Sequence, residues 1–283
     1  MPALPEADVH HDPAPYVECH GTSHVGKVRD HNEDRFAIVV LQHAARFIET
    51  NLEDDGIVER FARPAAHVFI AADGVGGHAG GEEASSVAVA SMVEYLSEAA
   101  NCYQGMNVAQ EQDFMDRLTA GVQRAHDRLV ASYGGRRGPA TTLTMVTLIW
   151  PRAYVVHVGD SRGYFLRGGR MRQFTADQTM GEFLVDIGAA TEEEARQRGL
   201  YDVLSSAVGS DIAPVVGIVD LEPDDVLLLC TDGLTKHVAD GRIAELLAAN
   251  PNAESACGAL VHEALEQGGT DNVTVLVARF VSA

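Results

Sequence analysis

"FIAADGVGGHAGGEEAS", residues 69–85, runs from an apolar strand through an aspartate and a string of glycines into a helix. Phe69 to Ala72 has the apolar density of a buried strand end, and the segment from Gly80 onward has helical composition. Between them stands Asp73-Gly74, a common turn pair. At a single position a turn and a ligand look alike, so the other strand ends must decide.

They repeat the pattern. "YVVHVGDSR" (154–162) presents Asp160 after a strand, and "VLLLCTDGL" (226–234) presents Asp232-Gly233 after another. "GGTDNVTVLV" (268–277) places Asp271 just before a strand, and "VRDHNEDRF" (28–36) puts Arg29, Glu33 and Asp34 ahead of a strand beginning near Arg35. Turn chemistry alone does not account for five such groups. If these ends converge, the carboxylates repel one another and several are forced to protonate. Hard divalent cations relieve that, and an all-oxygen donor set points to Mg²⁺ or Mn²⁺. Zinc is disfavoured because no Cys/His cluster accompanies the acids. The glycines after Asp73 and Asp232 let the backbone approach an ion, and the Gly74 carbonyl becomes a candidate ligand. A metal pair holding a water is a recurrent device for phosphate ester hydrolysis. Arg29, four residues before Glu33, suits bidentate phosphate binding. Two alternatives stay open: an ion pair of Arg29 with Asp30 or Glu33, and a tight turn at "GDSR" with Asp160 paired to Arg162.

The 283 residues are 46% hydrophobic and 22% charged, the composition of an ordinary globular protein. A formal charge of -20 excludes nucleic acid and anionic membrane as partners, since both require concentrated positive charge. Bound cations would make that acidity compatible with an anionic substrate. Cys19, Cys102, Cys230 and Cys257 form no CxxC pair and read as reduced thiols. No signal peptide and no apolar run of about 20 residues is seen, so a cytoplasmic location is expected.

Residues 1–15, with four prolines, read as a flexible tail, and 16–283 as a single domain. Strand-like runs include "RFAIVVL", "HVFIAA", "TTLTMVTLIW", "AYVVHVG", "RGYFLR", "DVLLLC" and "NVTVLVARF". Helical patterns occupy roughly 80–101, 114–133, 242–249 and 253–267. Consecutive strands in "TTLTMVTLIW", "AYVVHVG" and "RGYFLR" suggest hairpins, hence an antiparallel α+β architecture with helices covering sheet faces. Two long connections stand out: residues 42–66 read as an insertion that shapes the cleft rim or binds a partner, and residues 176–210 as a flap.

Taken together, "VRDHNED", "ADGVGGHAGGEEAS", "TTLT", "VGDSR", "CTDGLT" and "GGTDNVT" resemble, in order, the motifs of the metal-dependent serine/threonine protein phosphatases of the protein phosphatase 2C family. The likeness is to the compact bacterial branch and runs from Gly21 to Phe280. It implies a four-layer α-β-β-α sandwich, two antiparallel sheets flanked by helices, with the site at one edge. It implies two Mn²⁺ or Mg²⁺ ions and a weaker third. Asp73 then corresponds to the carboxylate bridging both metals. The Gly74 carbonyl binds one ion, and Asp232 and Asp271 the other. Glu33 and Asp34 act through metal-held waters, Asp160 with Asp232 holds the third ion, Arg29 binds phosphate and Asn272 supports its neighbouring ligand.

The sequence departs from the family pattern in places. Val75 stands where animal members carry a general-acid histidine; His78 is a minor substitute, and a metal-held water the implied proton donor. Asp177-Gln178-Thr179 replaces "DHS", implying altered flap contacts. Arg196 and Arg198 among the glutamates read as helix-face pairs. The implied partners are phosphorylated proteins and a Ser/Thr kinase, and monomer is the default. A haloacid-dehalogenase-type phosphatase would need Asp-x-Asp after its strand, and Asp73-Gly74-Val75 lacks the second acid. A silent phosphoprotein-binding scaffold would be expected to have lost a metal ligand, and here every one is present.

Overall fold

The computed structural model describes residues 15–41, 66–76, 79–99, 108–135 and 138–281. The longer part of the flexible tail, nearly all of the 42–66 insertion, Cys102 and His78 lie outside the described residues.

Strand β3 (Ala66–Ala72) alternates in what it faces. Val68, Ile70 and Ala72 belong to one apolar layer, while Phe69 and Ala71 belong to another. A strand whose residues point alternately to opposite faces can be apolar throughout only when both faces are covered. β3 lies inside a five-stranded antiparallel sheet with β2 (Arg35–Leu41), β6 (Leu143–Ile149), β7 (Arg152–Val158) and β10 (Val215–Asp220), in the order β10-β7-β6-β3-β2. The second sheet runs β1-β12-β11-β8-β9. Its strands are β1 (Tyr16–His24), β8 (Arg162–Arg167), β9 (Arg170–Gln173), β11 (Val226–Cys230) and β12 (Val273–Val281). A small ribbon pairs β4 (Gly74–Val75) with β5 (Ala140–Thr141).

Three apolar layers separate four structural ones. Helices α1 (Ala79–Ala99) and α2 (Val108–Ser132) cover the first sheet, with Met92, Leu96, Leu118 and Val122 packed on Val68, Ile70, Met145 and Val156. Between the sheets, Phe69, Val146 and Leu148 meet Leu227, Leu229, Leu276 and Phe280. On the far side, α5 (Asp240–Ala249) and α6 (Ala253–Glu266) set Ile243, Leu247, Leu260 and Val261 against Leu228, Cys230, Val275 and Val277. The expected α-β-β-α sandwich is therefore the fold.

Three details differ from the sequence expectation. "AYVVHVG" and "RGYFLR" form no hairpin: β7 lies in the first sheet and β8 in the second. Gly159, at φ +104, turns the chain across the sandwich, and Asp160 rides on that crossing. Strands β1 and β10 were not anticipated. β1 carries mostly half-buried, partly polar side chains, and its nine residues take their register from β12, Tyr16 opposite Val281 through His24 opposite Val273. β10 is a sheet edge that leaves Val215 and Ile218 exposed. Finally, "TTLTMVTLIW" divides at Thr142, between β5 and β6.

The pairing registers put several strand ends together. Arg35 lies opposite Ala72, Ala71 opposite Thr144, Leu143 opposite Val158, Cys230 opposite Arg162 and His24 opposite Val273. All the acid-bearing turns therefore emerge at one end of the sandwich.

Candidate active site

At that end a cleft of about 540 Å³ opens between the two sheets. Asp73, Asp160, Asp232 and Asp271 line it, as do Arg29, Glu33, Gly74 and Asn272. Asp34 lies behind the cleft wall, 2% exposed.

Hydroxyl groups fix the backbone of the acids. The Asp73 amide donates to Thr142 Oγ1 at 2.9 Å, while its carbonyl accepts from the Thr142 amide and Thr141 Oγ1, both at 2.9 Å. Thr142 Oγ1 in turn meets Ser161 Oγ at 2.8 Å, joining the Asp73 turn to the one that carries Asp160. Asn272 ties the 25–34 loop to the start of β12. Its side chain donates to the carbonyls of Val25 (2.8 Å) and His31 (2.9 Å) and accepts from the Glu33 amide (2.8 Å).

The glycines permit close backbone packing beside the acids. A Cβ on Gly74 would stand 2.1 Å from the Gly81 carbonyl oxygen, and one on Gly233 would stand 1.9 Å from that of Asn272. Both are close backbone crossings that only glycine permits.

Electrostatically the cleft is under load. Burial, with the nearby charges of Asp34 and Asp232, raises the Asp73 carboxyl well above the usual range. Burial pushes Asp160 up to about 7, and the Asp232 charge adds to it. Asp34 also rises to about 7 through burial, even though Thr274 and Thr231 hydroxyls donate to its Oδ2 at 2.7 and 2.8 Å. Its other oxygen, Oδ1, is buried without a hydrogen-bond partner, and so is Asp232 Oδ1. Buried polar atoms are seldom left unpaired, and an orphaned carboxylate oxygen is the donor a hard cation takes. The donor set thus fits Mg²⁺ or Mn²⁺. Among the described residues, no three of these acids close around one point; two side-chain cations stand among them instead.

The first is Arg29, whose Nε lies 2.9 Å from Asp271 Oδ1 and whose second guanidinium nitrogen lies 3.0 Å from Oδ2. This replaces the alternative pairing with Asp30 or Glu33. The second is Lys236, whose Nζ is 2.5 Å from Asp232 Oδ2 and 3.4 Å from Asp271 Oδ2. Lys236 was not among the candidates; its place four residues after Asp232, on one helical face, was the available signal. The supporting hydroxyls of Thr142, Ser161, Thr231 and Thr274 were also missed, although each stands beside one of the quoted acids in sequence or across the sheet.

Arg162 does not pair with Asp160. It grips Asp177 with two nitrogens, at 2.7–3.0 Å. Next to it, Gln178 accepts from the Gly159 amide at 2.9 Å and donates to the Ala213 carbonyl at 3.0 Å, pinning the segment after β9 to the Asp160 turn. Thr179 caps α3 (Met180–Asp186), and Thr191 with Glu194 forms a capping box on α4 (Glu192–Gln197). Arg196 pairs with Glu192 at 3.1 Å, the expected helix-face contact. Val75 lines the cleft and is 44% exposed.

With this geometry in place, the comparisons with known proteins agree. Residues 50–267 match the family model of protein phosphatase 2C. The chain belongs to the protein phosphatase 2C family. Among phosphatase 2C relatives, the serine/threonine protein phosphatase PstP of Mycobacterium tuberculosis is 35% identical over 253 residues, 86% of this chain and 46% of its own. The chain thus spans about half the length of that relative. The serine/threonine phosphatase stp of Listeria monocytogenes is 30% identical over 257 residues, 89% of this chain and 91% of its own. A crystal structure of the catalytic domain of PstP in complex with two manganese ions superimposes with a TM-score of 0.69 at 32% identity, covering 94% of this chain and 98% of that one.

Proposed function

We propose that the chain, from residue 16 onward, is a single-domain Mn²⁺- or Mg²⁺-dependent phosphatase of phosphoserine and phosphothreonine in proteins. The observation that carries this is the set of buried carboxylates at one sandwich end, two of them with orphaned oxygens, beside an arginine able to hold a phosphate. Asp73, Asp232, Asp271 and the Gly74 carbonyl would hold a cation pair, with Glu33 and Asp34 acting on it through water. Such a pair, when bound, would lower the pKa of a bound water and offset phosphoryl charge. The rest falls to the chain. Arg29 gives up part of its contact with Asp271 to take two phosphoryl oxygens, orienting the phosphorus towards the acids. Asn272 and Thr142 keep the two carboxylate-bearing turns at fixed separation. No acid side chain stands at Val75, so the departing alkoxide draws its proton from water, and no nucleophilic side chain is needed.

The relatives' names support the enzymatic reading over a silent scaffold. Reversal of a Ser/Thr kinase by a cytoplasmic monomer, with residues 176–210 as flap, follows from the same reading. Among the described residues, no helix is long and apolar enough to cross a membrane. Phosphothreonine and phosphotyrosine peptides, each supplied with Mn²⁺ or with EDTA, test the proposal. Phosphate release from the threonine peptide in Mn²⁺ alone is expected. Equal release in EDTA, or from the tyrosine peptide only, would contradict it.

A further inference from the structure

Beyond Asp160 the cleft continues into a second, flap-side cavity, and the two share Asp160, Asp202, Asp232 and Lys236 in their walls. The second cavity adds Asp177, Glu182 and Glu192, so its lining is dominated by carboxylates. Three cations line it as well. Arg162 is committed to Asp177 at 2.7 Å and Arg196 to Glu192 at 3.1 Å. That leaves Lys236, among the described lining residues, as the cation that shares both cavity walls with Asp160 while pairing with Asp232 and, at 3.4 Å, with Asp271. Its ammonium is already 2.5 Å from Asp232 Oδ2. A lysine ammonium is a compact point charge able to satisfy clustered carboxylates as a small cation does.

We infer that Lys236 is a built-in cation of the site, standing at the junction of the two cavities in place of the weaker third ion expected at Asp160. The inference rests on the two-metal reading above. A covalently attached charge needs no ion from solution and does not dissociate, so the Asp160 side of the cleft is neutralised at any metal concentration. Two consequences separate it from a merely structural lysine. The wild-type chain binds only the resident pair, and removing the charge opens a further cation site that depends on Asp160.

Calorimetric titration of MnCl₂ into the EDTA-treated, then dialysed full chain tests this, with circular dichroism confirming that each variant is folded. Wild type and Lys236→Arg are expected to take up about two equivalents of Mn²⁺. Lys236→Gln should gain one further, weaker equivalent, and the double variant Lys236→Gln/Asp160→Asn should lose it again. A third equivalent in the wild type, or an unchanged stoichiometry in Lys236→Gln, would overturn the inference while leaving the metal pair intact. No uptake by the wild type would instead overturn the two-metal reading, and this inference with it.

Discussion

Asp34 holds one carboxylate oxygen against two threonine hydroxyls and leaves the other buried and unpaired. Burial lifts its folded-state pKa to about 7, as it does that of Asp160, against about 4 for an aspartate in an unfolded chain. Between those values the metal-free folded chain binds more protons than the unfolded one, so these groups make stability fall as pH rises through that window. A cation entering the cleft below pH 7 competes with the protons on the buried acids that would hold it, Asp73 and Asp34 among them. Apparent Mn²⁺ affinity is therefore expected to rise from pH 6 to pH 7.5 and then level off. Titration in two buffers of different ionisation enthalpy would show proton release at pH 6; pH-independent affinity would count against the assignment. At this scale the acids were legible because strand-end carboxylates repeat along the chain. Lys236 was not, since four residues after Asp232 it reads as an ordinary helix-face pair, and only the fold brings Asp160 and Asp271 to the same cleft.

At the scale of elements, β2 and β8 could be read as strands, but the plainest were those apolar on both faces: β3, β6, β7, β11 and β12. Their continuous hydrophobic runs follow from having a helix layer on one side and the other sheet on the opposite side. β1, with its glutamate, histidines and cysteine, draws its strand conformation from β12 rather than from its own composition. The false hairpin between β7 and β8 has a similar cause: adjacency in sequence does not say which sheet a strand joins. The flap shows how a departure from the family pattern can be accommodated, because Gln178 bonds both the Gly159 amide and the Ala213 carbonyl. Gln178→Ala removes both, leaving the flap less firmly attached to the Asp160 turn. Amide exchange across 176–205 is expected to accelerate with global stability reduced by no more than about 1–2 kcal/mol. Exchange unchanged from the wild type would show that Gln178 does not anchor the flap.

Across the whole molecule, the layer between the sheets fixes their separation and thus the width of the cleft. Phe69, 1% exposed, lies in that layer four residues before Asp73. Phe69→Ala should cost about 3–5 kcal/mol in urea denaturation, whereas Val40→Ala, on the edge strand β2 and 44% exposed, should stay within about 0.5 kcal/mol. Similar losses at the two positions would mean that the inter-sheet layer does not hold the sandwich together. The acids come from turns that cross between sheets or end their strands, so the site exists only when both sheets are assembled. Its central claim is that these turns make one metal-dependent phosphoryl-transfer centre. The most direct measurement is p-nitrophenyl phosphate hydrolysis as Mn²⁺ is titrated into the EDTA-treated wild type and Asp232→Ala. Saturable activation of the wild type is expected, with at least a hundredfold lower turnover (about 2.7 kcal/mol) in the variant at every metal concentration. Activity in EDTA, or an Asp232→Ala curve overlying that of the wild type, would contradict it.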